Sequence, residues 1–177
     1  MEKLLERKEE KDIITYFHKV KPNTTYTLTE AKKKLEYYCA YQERCHKEVE
    51  QKLRDMRMIP EAQEIIITHL LQYNYLNESR FAQAFARGKF RTKKWGKKRI
   101  ISELKFRYIS PYNIKLALKE ISEEDYNNTF YQLAEKRFLQ LKGETNSQKK
   151  RKKFSDYLFY RGWESQKVFE AWKDFQS

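Results

Sequence analysis

Apolar residues recur along most of this chain at intervals of three and four, the spacing that gathers them on one face of an α-helix. Ala31, Leu35, Tyr38 and Cys39 share one such face, Val49, Leu53 and Met56 a second, and Ile65, Ile66, His69 and Leu70 a third. Thr27 and Glu30 fit a capping box, in which each side chain serves a backbone donor of the other, and Pro60 suits a first helical turn, where its missing N–H is not needed. The pattern predicts a trio of helices, and it then repeats. Asn77 caps a helix carrying Phe81, Ala82, Phe85 and Ala86; Gly96 breaks the chain; Ile100, Ile101, Leu104 and Tyr108 line the next helix; Ser110-Pro111 opens a third with Ile114, Ala117, Leu118 and Ile121. Ser122 with Asp125 is a variant cap ahead of Phe130, Leu133, Ala134, Phe138 and Leu141. A polar loop follows over Lys142 to Lys150, then helices marked by Phe154, Tyr157 and Leu158 and, past Arg161-Gly162-Trp163, by Val168, Phe169 and Trp172.

The segments RDMRMIPEAQEII, LKFRYISPYNIKL and LFYRGWESQKVFE align as copies of one helix-turn-helix joint, anchored at Ile59, Ile109 and Trp163, fifty and fifty-four residues apart. An aromatic or Met precedes each anchor by about three residues (Met56, Phe106, Tyr160) and an aliphatic follows five or six later (Ile65, Ile114, Val168). Repetition at such a period means similar units, each packed mainly on its neighbours. The reading is an all-α, elongated array of three tandem three-helix repeats over 27–72, 73–121 and 122–177. A loosely ordered N-terminal arm over 1–26 precedes them, with a short apolar cluster at Ile13, Ile14, Tyr16 and Phe17. Only four Gly and three Pro in 177 residues agree with this, since sheet-rich folds need more turn residues. The cysteines Cys39 and Cys45 make no disulfide framework, no secretory leader opens the sequence, and no apolar run approaches the roughly 20 residues that span a bilayer. A cytoplasmic, monomeric protein with no membrane partner is expected.

Charge changes this picture from a scaffold to a binding protein. The formal net charge is +13, and the window from Arg80 to Arg107 holds eleven Lys or Arg against one acid, Glu103. A cationic field so concentrated implies an anionic partner, and helix-surface charge usually alternates in sign where it serves solubility alone. The candidate contacts are Arg87, Lys89, Arg91, Lys93, Lys94, Lys97, Lys98 and Arg99, with Phe90 and Trp95 as aromatics available to stack. A second basic run, Lys149, Lys150, Arg151, Lys152 and Lys153, falls in the predicted polar loop. Most other aromatics, among them Phe81, Phe85, Phe106, Phe154 and Trp163, lie on helical stripes and read as core. The sequence carries no Gly-rich phosphate loop, nucleophile elbow or paired acids in an apolar setting, so no catalytic residues are assigned. Cys39, Cys45 and His46 lack a matching second pair of metal ligands. Neither a metal nor a cofactor is expected.

Leu76-Asn77-Glu78-Ser79-Arg80-Phe81-Ala82, then Phe85, Trp95-Gly96, Arg99-Ile100 and Leu104, resembles the central pattern of the RecX family, bacterial regulators of the RecA recombinase. The wider resemblance, three tandem three-helix units, runs from about Thr27 to Phe175. Two positions depart from the family pattern: Glu78 stands where aspartate is usual, and the joint glycine persists only as Gly162, with Met58 and Tyr108 in the earlier copies. The resemblance implies a non-enzymatic protein that lies along RecA filaments on single- or double-stranded DNA. There it would modulate, in the inhibitory direction, recombinase activity, ATP hydrolysis and strand exchange in DNA repair and recombination. Two other readings of the same residues stay open: a sequence-independent DNA-binding protein that acts without a recombinase, and a helical adaptor whose basic surface only keeps it soluble.

Overall fold

The structure, a computed structural model, describes residues 25–176. The arm expected over 1–26 falls outside them as far as residue 24. The described residues form nine helices and no strand, in three successive trios: α1 (Leu28–Tyr41), α2 (His46–Asp55) and α3 (Pro60–Gln72); α4 (Glu78–Lys93), α5 (Lys97–Phe106) and α6 (Pro111–Leu118); α7 (Glu123–Gln140), α8 (Ser147–Tyr160) and α9 (Ser165–Asp174). Local chemistry sets most of the boundaries. Thr27 Oγ1 accepts from the Glu30 N–H at 3.3 Å while Glu30 Oε2 accepts from the Thr27 N–H at 2.9 Å, and these bonds hold the Glu30 carboxyl below its ordinary range. Asn77, Ser110, Ser122 and Asn146 cap α4, α6, α7 and α8 with their side chains.

The repeat is most exact at the joint between the second and third helix of each trio. Arg57, Tyr108 and Gly162 adopt left-handed backbone, with φ of 57°, 61° and 83°. At each, the left-handed N–H reaches back three residues and the next N–H reaches back five: Met58 to Leu53 at 3.1 Å, Ile109 to Leu104 at 3.1 Å, Trp163 to Leu158 at 3.2 Å. This pair of bonds satisfies carbonyls that a helix end otherwise leaves open. The recurring core positions are therefore Val49, Ile100 and Phe154; Leu53, Leu104 and Leu158; and Ile66, Ala117 and Ala171, all fully buried. The sequence alignment is one residue out in the first copy. Met58, not Ile59, matches Ile109 and Trp163, and the joint glycine is replaced by Arg57, not Met58. Ile59 is the N-cap of α3 and 63% exposed, and Ile65 is exposed with it because the shift rotates it off the core face. Phe106, expected in the core, is the last residue of α5, and Tyr108, expected to line it, lies beyond its end in the left-handed joint; both are exposed.

Glu78, the first residue of α4, accepts from the Ser110 N–H at 2.8 Å and from Asn113 Nδ2 at 2.9 Å, so its carboxylate serves the start of α6. Further along, Arg87 pairs with Glu120 at 2.6 Å, and α4 and α6 thus run side by side in the same direction. The core is continuous across the second and third trios, where Phe90, Tyr126, Trp163 and Phe130 meet ring to ring in that order. The first trio has its own core, which Leu76 joins, and lends Cys45 to its neighbour's. Its seam with the second trio is otherwise polar: Arg80 donates to Glu43 at 2.7 Å and to the Asn74 carbonyl at 2.9 Å, and Lys47 donates to the Phe106 carbonyl at 2.9 Å.

At the other seam two glycines meet. A Cβ on Gly96 would fall 2.4 Å from the carbonyl oxygen of Gly162, and a Cβ on Gly162 would fall 2.3 Å from the Arg99 nitrogen. Gly96→Ala is expected to destabilise by about 1–3 kcal/mol, as overpacking does. Gly88→Ala, in the middle of α4 with nothing within 4 Å of the added carbon, is expected to stabilise by about 0.5–1 kcal/mol. Thermal melts of both variants check the pair. Leu104→Ala is expected to cost about 2–5 kcal/mol, against a change within about 0.5 kcal/mol for Lys105→Ala on the exposed face, read by chemical denaturation.

Candidate anion-binding face

The basic window is mostly helical. Arg87, Lys89, Arg91 and Lys93 lie on the second half of α4; Lys94, Trp95 and Gly96 form the connection; Lys97, Lys98 and Arg99 are the first turn of α5. Lys94 is left-handed, with φ of 54°, and ends α4. The Gly–Gly contact supplies what this junction lacks in side-chain caps. The Gly96 N–H donates to the Arg161 carbonyl at 2.8 Å, the Lys98 N–H to the Gly162 carbonyl at 3.2 Å, and the Lys97 N–H to the Tyr126 hydroxyl at 2.9 Å. Tyr126 donates its proton to the Glu164 carboxylate, with oxygens at 2.8 and 2.9 Å, and burial pushes its phenol far above the ordinary range.

Several candidate cations are engaged within the fold. Arg87 pairs with Glu120, and Lys97 with Glu123, whose carboxyl its hydrogen bond and charge hold below the usual range. Arg99 donates to the Tyr160 carbonyl at 2.5 Å, its guanidinium carbon lying 4.3 Å from the Trp95 ring centroid and 4.4 Å from that of Tyr160. Lys89 lies over Phe85 and Trp95. Arg91, Lys93, Lys94 and Lys98, by contrast, have no acidic partner among the described residues. The first three are exposed, and so is Lys98. Phe90, offered as a stacker, is buried against Tyr126 and belongs to the core, and Trp95 is half-buried against Phe85.

Lys149 to Lys153 were expected in a loop. They occupy α8, which begins at Ser147 because Asn146 caps it; the loop is only 142–146. Lys153 pairs with Glu144 at 2.5 Å and its hydrogen bond lowers that carboxyl; Lys150 lies over Phe138 and Arg151 over Phe169; Lys149 and Lys152 form no ion pair among the described residues. Lys149 and Tyr160 sit at opposite ends of α8, roughly 17 Å apart at about 1.5 Å per residue. The residues that sequence reasoning did not assign to the face are Tyr160 and Arg161, which reach the α5 turn from about sixty residues away. Their only sequence signal is the aromatic that precedes the third joint.

A family model described as "RecX, second three-helix domain" matches residues 77–118, the stretch from the cap of α4 to the end of α6. The regulatory protein RecX of Lactobacillus johnsonii is 33% identical over 89 residues, 50% of this chain and 33% of that protein, and the one from Lactobacillus gasseri is 30% identical over the same shares. The second trio of this chain is thus similar to the second three-helix domain of RecX proteins. The match of the chain spans a third of the length of those two relatives. The crystal structure of RecX from Lactobacillus salivarius shares the fold at a TM-score of 0.69 and 22% identity, over 84% of this chain and 96% of that one. A second RecX crystal structure superposes at 0.69 and 21% identity, over 93% and 85%. The tandem three-helix architecture is thus the RecX fold.

The matched segment contains most of the motif from Leu76 to Ala82, and nearly every member of that motif has a structural task. Leu76, Phe81 and Ala82 are buried, Asn77 caps α4, Glu78 caps α6 and Arg80 ties the first trio to the second. Among the described residues no helix is long and apolar enough to cross a membrane, and no group of three or more His, Cys, Asp or Glu could hold a metal ion. Cys39 and Cys45 are both buried, and burial raises both thiols, that of Cys39 to about 11. Because the thiolate is the nucleophile, a thiol that stays protonated is unreactive. Both cysteines are expected to resist a disulfide reagent in the native protein at pH 8 and to react promptly once unfolded, counted by absorbance of the released thiol.

Proposed function

We propose that the chain regulates RecA filaments on DNA, and that it meets them through the α4–α5 face. The observation that carries this is the unbalanced charge of that face. Arg91, Lys93, Lys94 and Lys98 have no acid partner among the described residues, while Arg87 and Lys97 on the same two helices are paired. Lys97, Lys98 and Arg99 also stand at the start of α5, and Lys149 and Lys150 at the start of α8, where the helix macrodipole disfavours positive charge. Neither first turn holds an acid. An external anion removes that mismatch.

The arrangement suits a long, periodic, anionic partner. The Gly96–Gly162 interlock fixes the cations on a rigid base, and the run on α8 lies far enough off to touch a second point of the same object, so weak contacts add through multivalency. Charge would speed encounter, and apolar contacts would set residence. The name of the curated relatives, a regulatory protein, supports a modulatory role, and inhibition is the direction proposed for it.

The test is binding of the purified chain to preformed RecA filaments and, in parallel, to the same naked DNA at near-physiological salt, with RecA ATP hydrolysis followed during the titration. Tight filament binding with altered hydrolysis is expected. Binding to naked DNA alone, with hydrolysis restored by more DNA, makes the chain a basic helical DNA binder that competes for the lattice. Reversing charge at Lys93, Lys94 and Lys98 to Glu is expected to abolish regulation with the thermal melt unchanged. It should also flatten the salt dependence of DNA affinity by roughly 0.7–0.9 log units per log unit of salt for each phosphate no longer neutralised. Regulation that survives the triple reversal would rule out the α4–α5 face.

A further inference from the structure

Tyr160 ends α8 with its backbone and one side of its ring already held. Its carbonyl accepts Arg99 Nη1 at 2.5 Å, and the same guanidinium carbon lies 4.4 Å from its ring centroid and 4.3 Å from that of Trp95. Trp95 is tied down in turn, half-buried with its ring 6.3 Å from that of Phe85. The series Trp95, Arg99, Tyr160 therefore runs outward from the core and stops at a ring that is 71% exposed. An aromatic fixed on its inner side binds a flat partner with little further loss of rotamer freedom. Lys98, exposed and without an acidic partner among the described residues, precedes Arg99 on the same turn of α5 and donates its N–H to the Gly162 carbonyl two residues past Tyr160, and Arg161 follows the ring with its guanidinium parked over Tyr157 at 3.7 Å. The acid one turn back on α8 is Asp156, so the cationic field around the ring lies on its α5 side.

Phe106, Tyr108, Tyr37 and Tyr41, also exposed, lack this setting. Phe106 and Tyr108 share Lys47, but Glu48 and Glu50 follow it on the same helix turn. Tyr37 and Tyr41 stack on each other at 6.4 Å, on a helix far from the unpaired cations in sequence and seam. A free π-face next to cations is the arrangement on which unpaired bases stack, whereas a duplex keeps its base faces inside.

We infer that Tyr160 is a base-stacking platform for single-stranded DNA, with Lys98 and the first turn of α5 taking the flanking phosphates. This rests on the proposal that the α4–α5 face meets nucleic acid, and it adds a strand preference to it.

The test uses the full chain and two dye-labelled probes followed by anisotropy, an oligothymidylate and a duplex of equal length. Tyr160→Leu keeps the carbonyl that Arg99 needs and removes the ring. It is expected to weaken oligothymidylate binding about tenfold, equivalent to about 1.4 kcal/mol, and to leave the duplex unaffected. Tyr160→Trp, which keeps a π-face, is expected to bind as the native chain does. Both variants should melt with the native protein, since the ring is exposed. Equal loss on both probes, no loss on either, or loss in the Trp variant overturns the platform. In each of those cases weakened binding by the Lys93, Lys94 and Lys98 reversal leaves the α4–α5 face standing. A native chain that binds neither probe overturns the platform and the nucleic-acid part of the proposed function together.

Discussion

The approach of Gly96 to Gly162 is the constraint on which the rest of this molecule depends. The two backbones touch where any side chain would collide, so the carbonyls of Arg161 and Gly162 can reach the open N–H groups at the start of α5. Tyr126 fills the remaining place with a hydroxyl anchored on Glu164. A helix start with three cations and no acid is a poor candidate for independent stability. Here it is held from outside, by the next trio, and the cations are free to follow another requirement. The same contact sets Arg99 between Trp95 and Tyr160 and brings Phe90, Tyr126 and Trp163 into one stack. Architecture and charge presentation share one cause.

The two seams of the array rest on different physics. Between the second and third trios, apolar contact is continuous and insensitive to salt. Between the first and second, the contacts are ion pairs and side-chain bonds to carbonyls, each worth about 0–1 kcal/mol where solvent reaches them. One carboxylate oxygen each of Glu43 and Glu48, and Nε of Arg44, are buried there without a hydrogen-bond partner among the described residues. Buried polar atoms left open subtract from stability. Cys45, seated in the neighbouring core, is the apolar exception that positions this seam.

The helices, their caps and the threefold repetition were legible in the sequence because each depends on residues within a turn or two of one another. Thr27 with Glu30, Asn77, Pro60 and Ser110-Pro111 are local signals and mark the ends where the helices begin. The joint register slipped by one because Ile59 resembles Ile109 chemically, while the feature that repeats is backbone geometry. Arg57, Tyr108 and Gly162 share a left-handed φ and nothing in their side chains. The basic run at 149–153 read as loop because five adjacent charges conceal the face that Phe154 and Leu158 bury, and the Asn146 cap that starts α8 lies three residues before the run. The role of Tyr160 was out of reach, since its partner Arg99 is sixty-one residues away.

The residues that carry the resemblance to RecX proteins are not the residues that would touch a partner. Within the motif, Asn77 and Glu78 spend their polar atoms on helix starts, Arg80 joins two trios, and Leu76, Phe81 and Ala82 are core. Such positions tolerate little change, because each would leave a buried donor open or a cavity behind. They preserve the geometry of the array while specifying nothing about what it binds. The exposed cations of this face that have no acidic partner among the described residues stand under no such packing constraint, so their charge needs a reason outside the fold. Binding energy is therefore to be sought at Arg91, Lys93, Lys94 and Lys98, and the recognisable motif explains how those four are carried rather than what they hold.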